Sequence, residues 1–152
     1  MSNDWKHGYY ADEGYEYGYH PETSPAHIHW ACTLQGIKAP SRNFTYLDLG
    51  CGQGLSLILN AVVHPESNFI GVDFMPTHIA HARELTSRLG LSNVTFIEGD
   101  FLDLAKNPAG IGEVDYVVAH GISAWVSKSV REGIWQLVSK VLKPGGIVYN
   151  SY

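Results

Sequence analysis

The chain has 152 residues, a formal net charge of −5 and an apolar fraction of 45%, which predict one globular domain and argue against nucleic acid as a partner. Cys32 and Cys51 are too few for a disulfide scaffold, so we expect reduced thiols and a cytoplasmic protein. The polar start "MSNDWKHGYY" lacks the apolar segment of a signal peptide, and no apolar run approaches the roughly 20 residues that span a membrane, so no membrane partner is expected.

The first part of the chain, residues 1–22, is rich in tyrosine and glycine ("GYYADEGYEYGYHPE") and has neither helical nor strand periodicity. It is predicted to be an arm, followed by a folded domain over residues 23–152. Thr23, Ser24 and Pro25 provide a hydroxyl cap and a proline at the first helical position. They predict a helix through "AHIHWACTLQG" that ends near Gly36.

Predicted strands and helices then alternate. The predicted strands are residues 44–49, "NFIGVDF", "NVTFIEGD", "VDYVVAHG" and "GIVYNSY". The predicted helices are residues 53–64, "PTHIAHARELTSRLG" and "SKSVREGIWQLVSKVL", the last closed by "KPGG". This alternation predicts an α/β fold, a Rossmann-like three-layer αβα sandwich with a mainly parallel sheet. Ligands of such folds bind at the carboxyl ends of the strands.

A glycine-rich loop follows the first predicted strand, in "YLDLGCGQGL". Its glycines follow the pattern G-x-G-x-G, whereas a dinucleotide fingerprint needs a third glycine where Leu55 stands. Asp48 precedes the loop, and its carboxylate would repel a pyrophosphate but attract an ammonium and a sulfonium. The loop therefore favours S-adenosylmethionine over NAD, and an NAD-dependent oxidoreductase is the weaker hypothesis.

Acidic residues also end the second and third predicted strands. Asp73 can accept hydrogen bonds from both hydroxyls of a ribose, and Phe74 can lie against an adenine. Asp100 can accept from the adenine amino group, and the Phe101 backbone can reach a ring nitrogen. Structural roles stay open for each acid: Asp48 as a brace of its turn, Asp73 as the acid of an NAD fold, and Asp100 as the cap of a following helix.

Four segments together, "YLDLGCGQG", "GVDFMP", "IEGDF" and "LKPGG", resemble the class I S-adenosylmethionine-dependent methyltransferases over roughly residues 44–149. "YGYHPETSP", "AHGISAWVS" and "GIVYNSY" resemble a bacterial subgroup in which a methyltransferase regulatory domain follows. That subgroup includes rickettsial protein lysine methyltransferases. The resemblance implies methyl transfer to a protein side chain, with lysine suggested, or to a small molecule, leaving S-adenosylhomocysteine as product.

The resemblance also implies roles for the matching positions, with the arm folding over the cofactor. The methionine part would be held by Asp48, Gly50, Cys51, Gly52 and Gln53, the ribose by Asp73, the adenine by Phe74, Asp100 and Phe101, and the end near the departing methyl group by His120 and Gly121.

The chain departs from the class I pattern at its last strand. The family usually has seven strands, the last two forming a hairpin beside strand five, whereas this sequence ends in or just after strand five. We therefore expect the final hairpin to be missing and strand five to be an unpaired edge, which a homodimer would cover. The alternative function is a truncated cofactor-binding or regulatory module that acts through oligomerisation without catalysis.

Candidate catalytic residues follow from the need to remove a proton from an amine acceptor. His120 is the candidate base because imidazole titrates near neutrality; the alternative is that it only shapes the pocket through hydrogen bonds to the backbone. Tyr17 and Tyr19 can approach the amine through hydroxyls or ring faces, or serve only as lid residues. His78 and His81 have chelating spacing but no third ligand nearby in the sequence, so no metal site is predicted.

Overall fold

A computed structural model describes residue 9 and residues 17–40, 42–108 and 110–151. The strands are Thr45–Leu49 (β1), Asn68–Asp73 (β2), Val94–Glu98 (β3), Val114–Ala119 (β4) and Leu142–Asn150 (β5). The helices are Pro25–Leu34 (α1), Leu55–Val63 (α2), Pro76–Leu89 (α3), Phe101–Lys106 (α4) and Lys128–Val141 (α5). The predicted alternation of strands and helices is confirmed.

The strands of the described residues form one parallel sheet in the order β3-β2-β1-β4-β5. The predicted Rossmann-like fold is therefore confirmed, with a sheet that is parallel throughout this part of the chain. From the central β1 the chain builds outward to β2 and β3, then returns to place β4 on the other side of β1. The strand order thus reverses at β1, and ligands of open α/β sheets bind beside such a point.

Helices cover both faces of the sheet, because the strands of a parallel sheet are apolar on both sides. One core contains Tyr46 of β1 together with buried residues of α1, α2 and α3. The other contains Leu47 and Leu49 of β1 together with buried residues of α4 and α5. Since side chains alternate along a strand, Asp48 lies on the same face as Tyr46, toward α1, α2 and α3.

Two local predictions are wrong. "KPGG" does not lie outside the last strand: β5 begins at Leu142, pairs it with Val114, and absorbs Gly145 (φ 80°) at a shift in register before Ile147 pairs with Tyr116. The predicted helix over residues 53–64 starts two residues later, at Leu55, because Gly54 has a left-handed φ of 78°.

The described residues also contain a short helix that the sequence analysis considered only as an alternative role for Asp100. α4 is six residues long, and Asp100 caps it by accepting a hydrogen bond from the Leu102 N–H at 2.7 Å. A helix of this length is too short to show a helical period, and its signal is the cap itself.

β5 lies at the edge of the sheet, with β4 as its neighbour, and many of its side chains are half-buried or exposed. Lys143 at its start contacts Asp115 of β4 at 2.9 Å, and Asp115 also accepts the Thr45 N–H of β1. The homodimer that would cover this edge stays a prediction. None of the helices in the described ranges combines the length and apolar character of a membrane span.

Gly71 of β2 leaves room for the core beneath the glycine loop. A Cβ at this position would come within 2.7 Å of the Phe96 ring and 2.8 Å of both the Cys51 sulfur and Leu57. We expect Gly71→Ala to lower the free energy of unfolding by about 1–3 kcal/mol, as overpacking does in other cores. Denaturant unfolding measures the loss. Gly18→Ala is the control, since a Cβ there meets no atom within 4 Å; an equal loss in both variants would contradict the prediction.

Candidate active site

The glycine loop turns its N–H groups inward. The Gly50 and Cys51 N–H groups both donate to the Val72 carbonyl of β2, at 2.8 and 3.0 Å, and the Gly52 N–H donates to Asp73 Oδ2 at 2.9 Å. Left-handed backbone at the three loop glycines, with φ of 77°, 54° and 78°, produces this turn. A loop that binds a pyrophosphate points free N–H groups at the ligand, so this loop is unsuited to a dinucleotide.

Asp48 supplies the charge of the site. Its side chain is buried and lines a cleft beside the glycine loop, and none of the described residues donates a hydrogen bond to its carboxylate. Burial, with a smaller contribution from the nearby charge of Asp73, raises the pKa of Asp48 to about 7. A buried carboxylate without a donor that faces a cleft is a strong attractor for a cation such as the ammonium of S-adenosylmethionine.

Several predicted residues meet at this cleft, which lies between the loop, the start of α2 and the turn before α1. Its lining includes Tyr17, Asp48, Gly50, Cys51, Gln53 and His120, all predicted, together with Gly18, His20, Thr23, Gly54, Leu55 and Ser56. Of the other predicted residues, Gly52 is buried in the loop and Tyr19 is exposed away from the cleft lining.

Asp73 holds the loop against β2. Its Oδ2 accepts the Gly52 N–H and its Oδ1 accepts the Met75 N–H, both at 2.9 Å, and His78 Nδ1 lies 3.5 Å from Oδ1. A carboxylate has about four lone-pair sites, so these two hydrogen bonds leave capacity for hydroxyl donors. The ribose-binding role of Asp73 is compatible with this geometry and stays a prediction.

The predicted adenine end is built from Phe74, Asp100 and Phe101, but its contacts are made within the chain. Asp100 Oδ1 caps α4, and the Phe101 side chain is buried in the core. The Phe101 N–H donates to the Tyr9 hydroxyl at 2.9 Å, and the Tyr9 ring stacks on Phe74 with 4.2 Å between ring centroids. The adenine-binding roles of these three residues stay predictions.

His120 follows β4 and is held by a residue that the sequence analysis did not single out. Ser151 Oγ lies 2.8 Å from His120 Nδ1 and accepts the Gly121 N–H at 3.3 Å, so the serine hydroxyl is available to donate to Nδ1. His120 Nε2, the other ring nitrogen, lies 3.5 Å from Glu22 Oε1. Burial, and then the neighbouring His20, lower the pKa of His120, while Glu22 acts in the opposite direction.

Glu22 was also missed, because the sequence places it in the predicted arm. It lies in a 3-10 turn, Pro21–Thr23, that spans the predicted boundary between arm and domain. Two contacts fix the turn to the domain: the Tyr46 hydroxyl donates to the Thr23 carbonyl at 2.6 Å, and the His20 N–H donates to Ser56 Oγ at 3.0 Å. The signal available in the sequence was the proline-initiated segment "HPETSP".

His20, Glu22 and His120 have donor atoms within 4.8 Å of one another, the composition of a divalent metal site. Glu22 Oε1 lies 3.5 Å from His120 Nε2 and 3.8 Å from His20 Nδ1. The two histidines considered from the sequence have different neighbours, since His78 lies beside Asp73 and His81 makes a T-shaped contact with the Tyr17 ring.

Comparison with known proteins agrees with this geometry. Residues 40–152 match the methyltransferase domain family. The chain is 36% identical over 150 residues to the uncharacterized protein sll1526 of Synechocystis, covering 97% of this chain and 29% of that protein. It is 30% identical over 122 residues to a sterol 24-C-methyltransferase of Aspergillus fumigatus, covering 80% of this chain and 30% of that enzyme.

A solved structure gives the same result at the level of the fold. PKMT2 from Rickettsia typhi in complex with AdoHcy superimposes with a TM-score of 0.84 at 32% identity, covering 91% of this chain and 27% of that one. The chain thus spans less than a third of the length of these relatives. Together with the glycine loop and the buried Asp48, these matches show that the chain belongs to the family of S-adenosylmethionine-dependent methyltransferases.

Proposed function

We propose that this chain is the methyl-transferring domain of a longer protein and that its acceptor is the side-chain amine of protein lysine. The observation that carries the cofactor part of the proposal is the buried Asp48 carboxylate, which faces the cleft without a donor from the described residues. The lysine part is supported by the sequence resemblance to rickettsial protein lysine methyltransferases and by the acidic Glu22, whose carboxylate lies 3.5 Å from the His120 ring that lines the cleft.

The two ends of the amino-acid part of the cofactor find opposite charges here. Asp48 attracts the ammonium, and the start of α2, where Leu55 and Ser56 line the cleft, presents the positive end of a helix dipole to the carboxylate. Bound S-adenosylmethionine supplies a methyl group on a sulfonium, which a neutral amine can attack. The protein must therefore position the amine and remove its proton.

Glu22 and His120 form the proton-accepting pair in this proposal. The lowered pKa of His120 favours the neutral form of its ring, and the acidic side chain of Glu22 beside it can attract a lysine ammonium. The Glu22 carboxylate then takes the amine proton and becomes a neutral carboxylic acid beside the His120 imidazole. Tyr17 is half exposed at the cleft, in a T-shaped contact with His81, and can offer a ring face to the incoming cation.

A labelling experiment tests the acceptor. The 152-residue chain is incubated with methyl-labelled S-adenosylmethionine and a lysine-rich protein, and mass spectrometry locates the label. We expect methyl groups on lysine and none when the lysines have been acetylated. Label on another residue type, or none on any protein acceptor while S-adenosylhomocysteine still binds, would refute the lysine proposal.

Glu22→Gln tests the proton-accepting pair. Because general base catalysis typically contributes 10²–10⁴-fold, we expect the rate of methyl transfer to fall by about a hundredfold or more. The affinity for S-adenosylhomocysteine should stay within about twofold, since Glu22 is not among the residues that line the cleft. Glu132→Gln makes the same change on the exposed face of α5 and is the control. Equal rates in the two variants would exclude Glu22 from catalysis.

A further inference from the structure

Tyr9 lies in the place that the family resemblance predicts for the adenine of the cofactor. Its side chain is buried, with 3% of its surface exposed. Its backbone pairs in antiparallel fashion with Val126, in the loop between β4 and α5, and its ring is part of the core beneath the carboxyl ends of the strands. A tyrosine from the start of the chain is thus enclosed at the ligand-binding edge of the sheet.

The contacts of Tyr9 reproduce those that adenine would make. Its flat ring lies on Phe74, with 4.2 Å between centroids and 21° between planes. Its hydroxyl oxygen accepts the N–H of Phe101 at 2.9 Å, as an adenine ring nitrogen would. A second ring contact, to Phe101, has 5.8 Å between centroids. Both the stacking surface and the hydrogen-bond donor of the predicted adenine site are therefore occupied by one side chain.

The shape of the cleft agrees with this substitution. The open cleft is lined at the methionine end, by Asp48, the glycine loop and the start of α2, and by His120. Among the described residues, Phe74 and Phe101 do not line it. The site is thus open where the amino-acid part would bind and filled where the adenine would bind.

We propose that Tyr9 is an intramolecular competitor for the adenine site, which the cofactor must displace in order to bind. A single backbone N–H cannot donate a linear hydrogen bond to two acceptors, and one ring face of Phe74 cannot stack on two rings. The measured affinity for the cofactor is then the intrinsic affinity reduced by the fraction of chains in which Tyr9 occupies the site. This inference rests on the proposed placement of adenine beside Phe74 and Phe101.

Tyr9→Phe removes the hydroxyl acceptor and keeps the ring. It leaves the Phe101 N–H without its acceptor in the cofactor-free chain, whereas adenine restores one, so affinity for S-adenosylhomocysteine should rise about threefold to tenfold. Calorimetric titration of the 152-residue chain measures this. Tyr116→Phe is the matched control: it removes a buried tyrosine hydroxyl that donates to the Pro40 carbonyl, and no change in affinity is expected.

Tyr9→Ala and two ligand fragments separate competition from other roles. The alanine variant removes the ring, so affinity for adenosine should rise at least tenfold while affinity for L-methionine stays within twofold. Without ligand, Tyr9→Ala should melt at a lower temperature than the wild-type chain. With saturating S-adenosylhomocysteine, the difference in melting temperature between the two proteins should be smaller. The melting temperature with saturating S-adenosylhomocysteine keeps the test valid if Tyr9→Ala is destabilised.

The outcomes distinguish this inference from the proposed function. If the wild-type chain binds S-adenosylhomocysteine and both Tyr9 variants bind it equally well, the inference is wrong and the function stands. If both variants bind more weakly, Tyr9 packs on the bound cofactor and competition is refuted. If neither wild type nor variants bind S-adenosylhomocysteine, the proposed function itself fails.

Discussion

Asp48→Asn should weaken the binding of S-adenosylhomocysteine by about a hundredfold. Removing one partner of a buried charge pair typically costs about 2–5 kcal/mol, and Asp48 is the buried carboxylate that faces the cleft. Calorimetric titration at pH 8 measures the loss. Asp103→Asn, which changes an exposed carboxylate paired with Lys106, is the control and should bind as wild type does.

The proposed role of Asp48 also predicts that the affinity for the ligand depends on pH. The pKa of Asp48 is about 7 in the folded chain without ligand, against an ordinary value of 3.8. An ammonium ligand needs the carboxylate, so the affinity of the wild-type chain should fall as the pH drops below 7, and that of Asp48→Asn should not. If the two proteins show the same pH profile between pH 5 and 8, a group other than Asp48 holds the ammonium.

Stability should change in the opposite direction to affinity. A pKa that folding raises contributes stability that is fully present below pH 3.8 and is lost as the pH rises through 7. A shift of about three units corresponds to at most about 4 kcal/mol. We therefore expect Asp48→Asn to be more stable than wild type at pH 8, with a smaller difference at pH 5. Denaturant unfolding of both proteins at pH 5 and pH 8, without ligand, measures this difference in the free energy of unfolding.

The strands were predictable because each is an apolar run bounded by glycine, proline or polar residues. β1 and β2 are buried almost throughout, as the central strands of a parallel sheet are, and this gives their sequences a continuous apolar character. The helix α4 and the inclusion of "KPGG" in β5 were not predicted, for local reasons. One is a helix of six residues, and the other is a strand interrupted by left-handed backbone at Gly145.

The residues of the site also fall into those that the sequence could predict and those that it could not. Asp48, Gly50, Cys51 and Gln53 were predictable because they follow one strand in an uninterrupted loop, and the structure places them on one cleft. Glu22, Ser151 and Tyr9 were not, because each reaches the site from a part of the chain that is distant in sequence.

Asp73→Asn should have the other large effect, on both the loop and the nucleoside. The carboxylate accepts the Gly52 N–H at Oδ2 and the Met75 N–H at Oδ1. An asparagine offers one oxygen, so its amide group would face a backbone donor and leave it unpaired. Such a loss costs about 1–3 kcal/mol, which denaturant unfolding should detect.

Binding should reveal which part of the ligand Asp73 serves. Asp73→Asn removes both the ribose acceptor and the carboxylate that holds the loop. The affinity for S-adenosylhomocysteine should therefore fall by about a hundredfold or more, and adenosine binding should no longer be measurable. Asp48→Asn should retain adenosine binding, since its charge serves the amino-acid end. Adenosine that binds equally well to wild type and Asp73→Asn would show that the acid acts only on the loop, and the ribose would then need another acceptor at the end of β2 or β3.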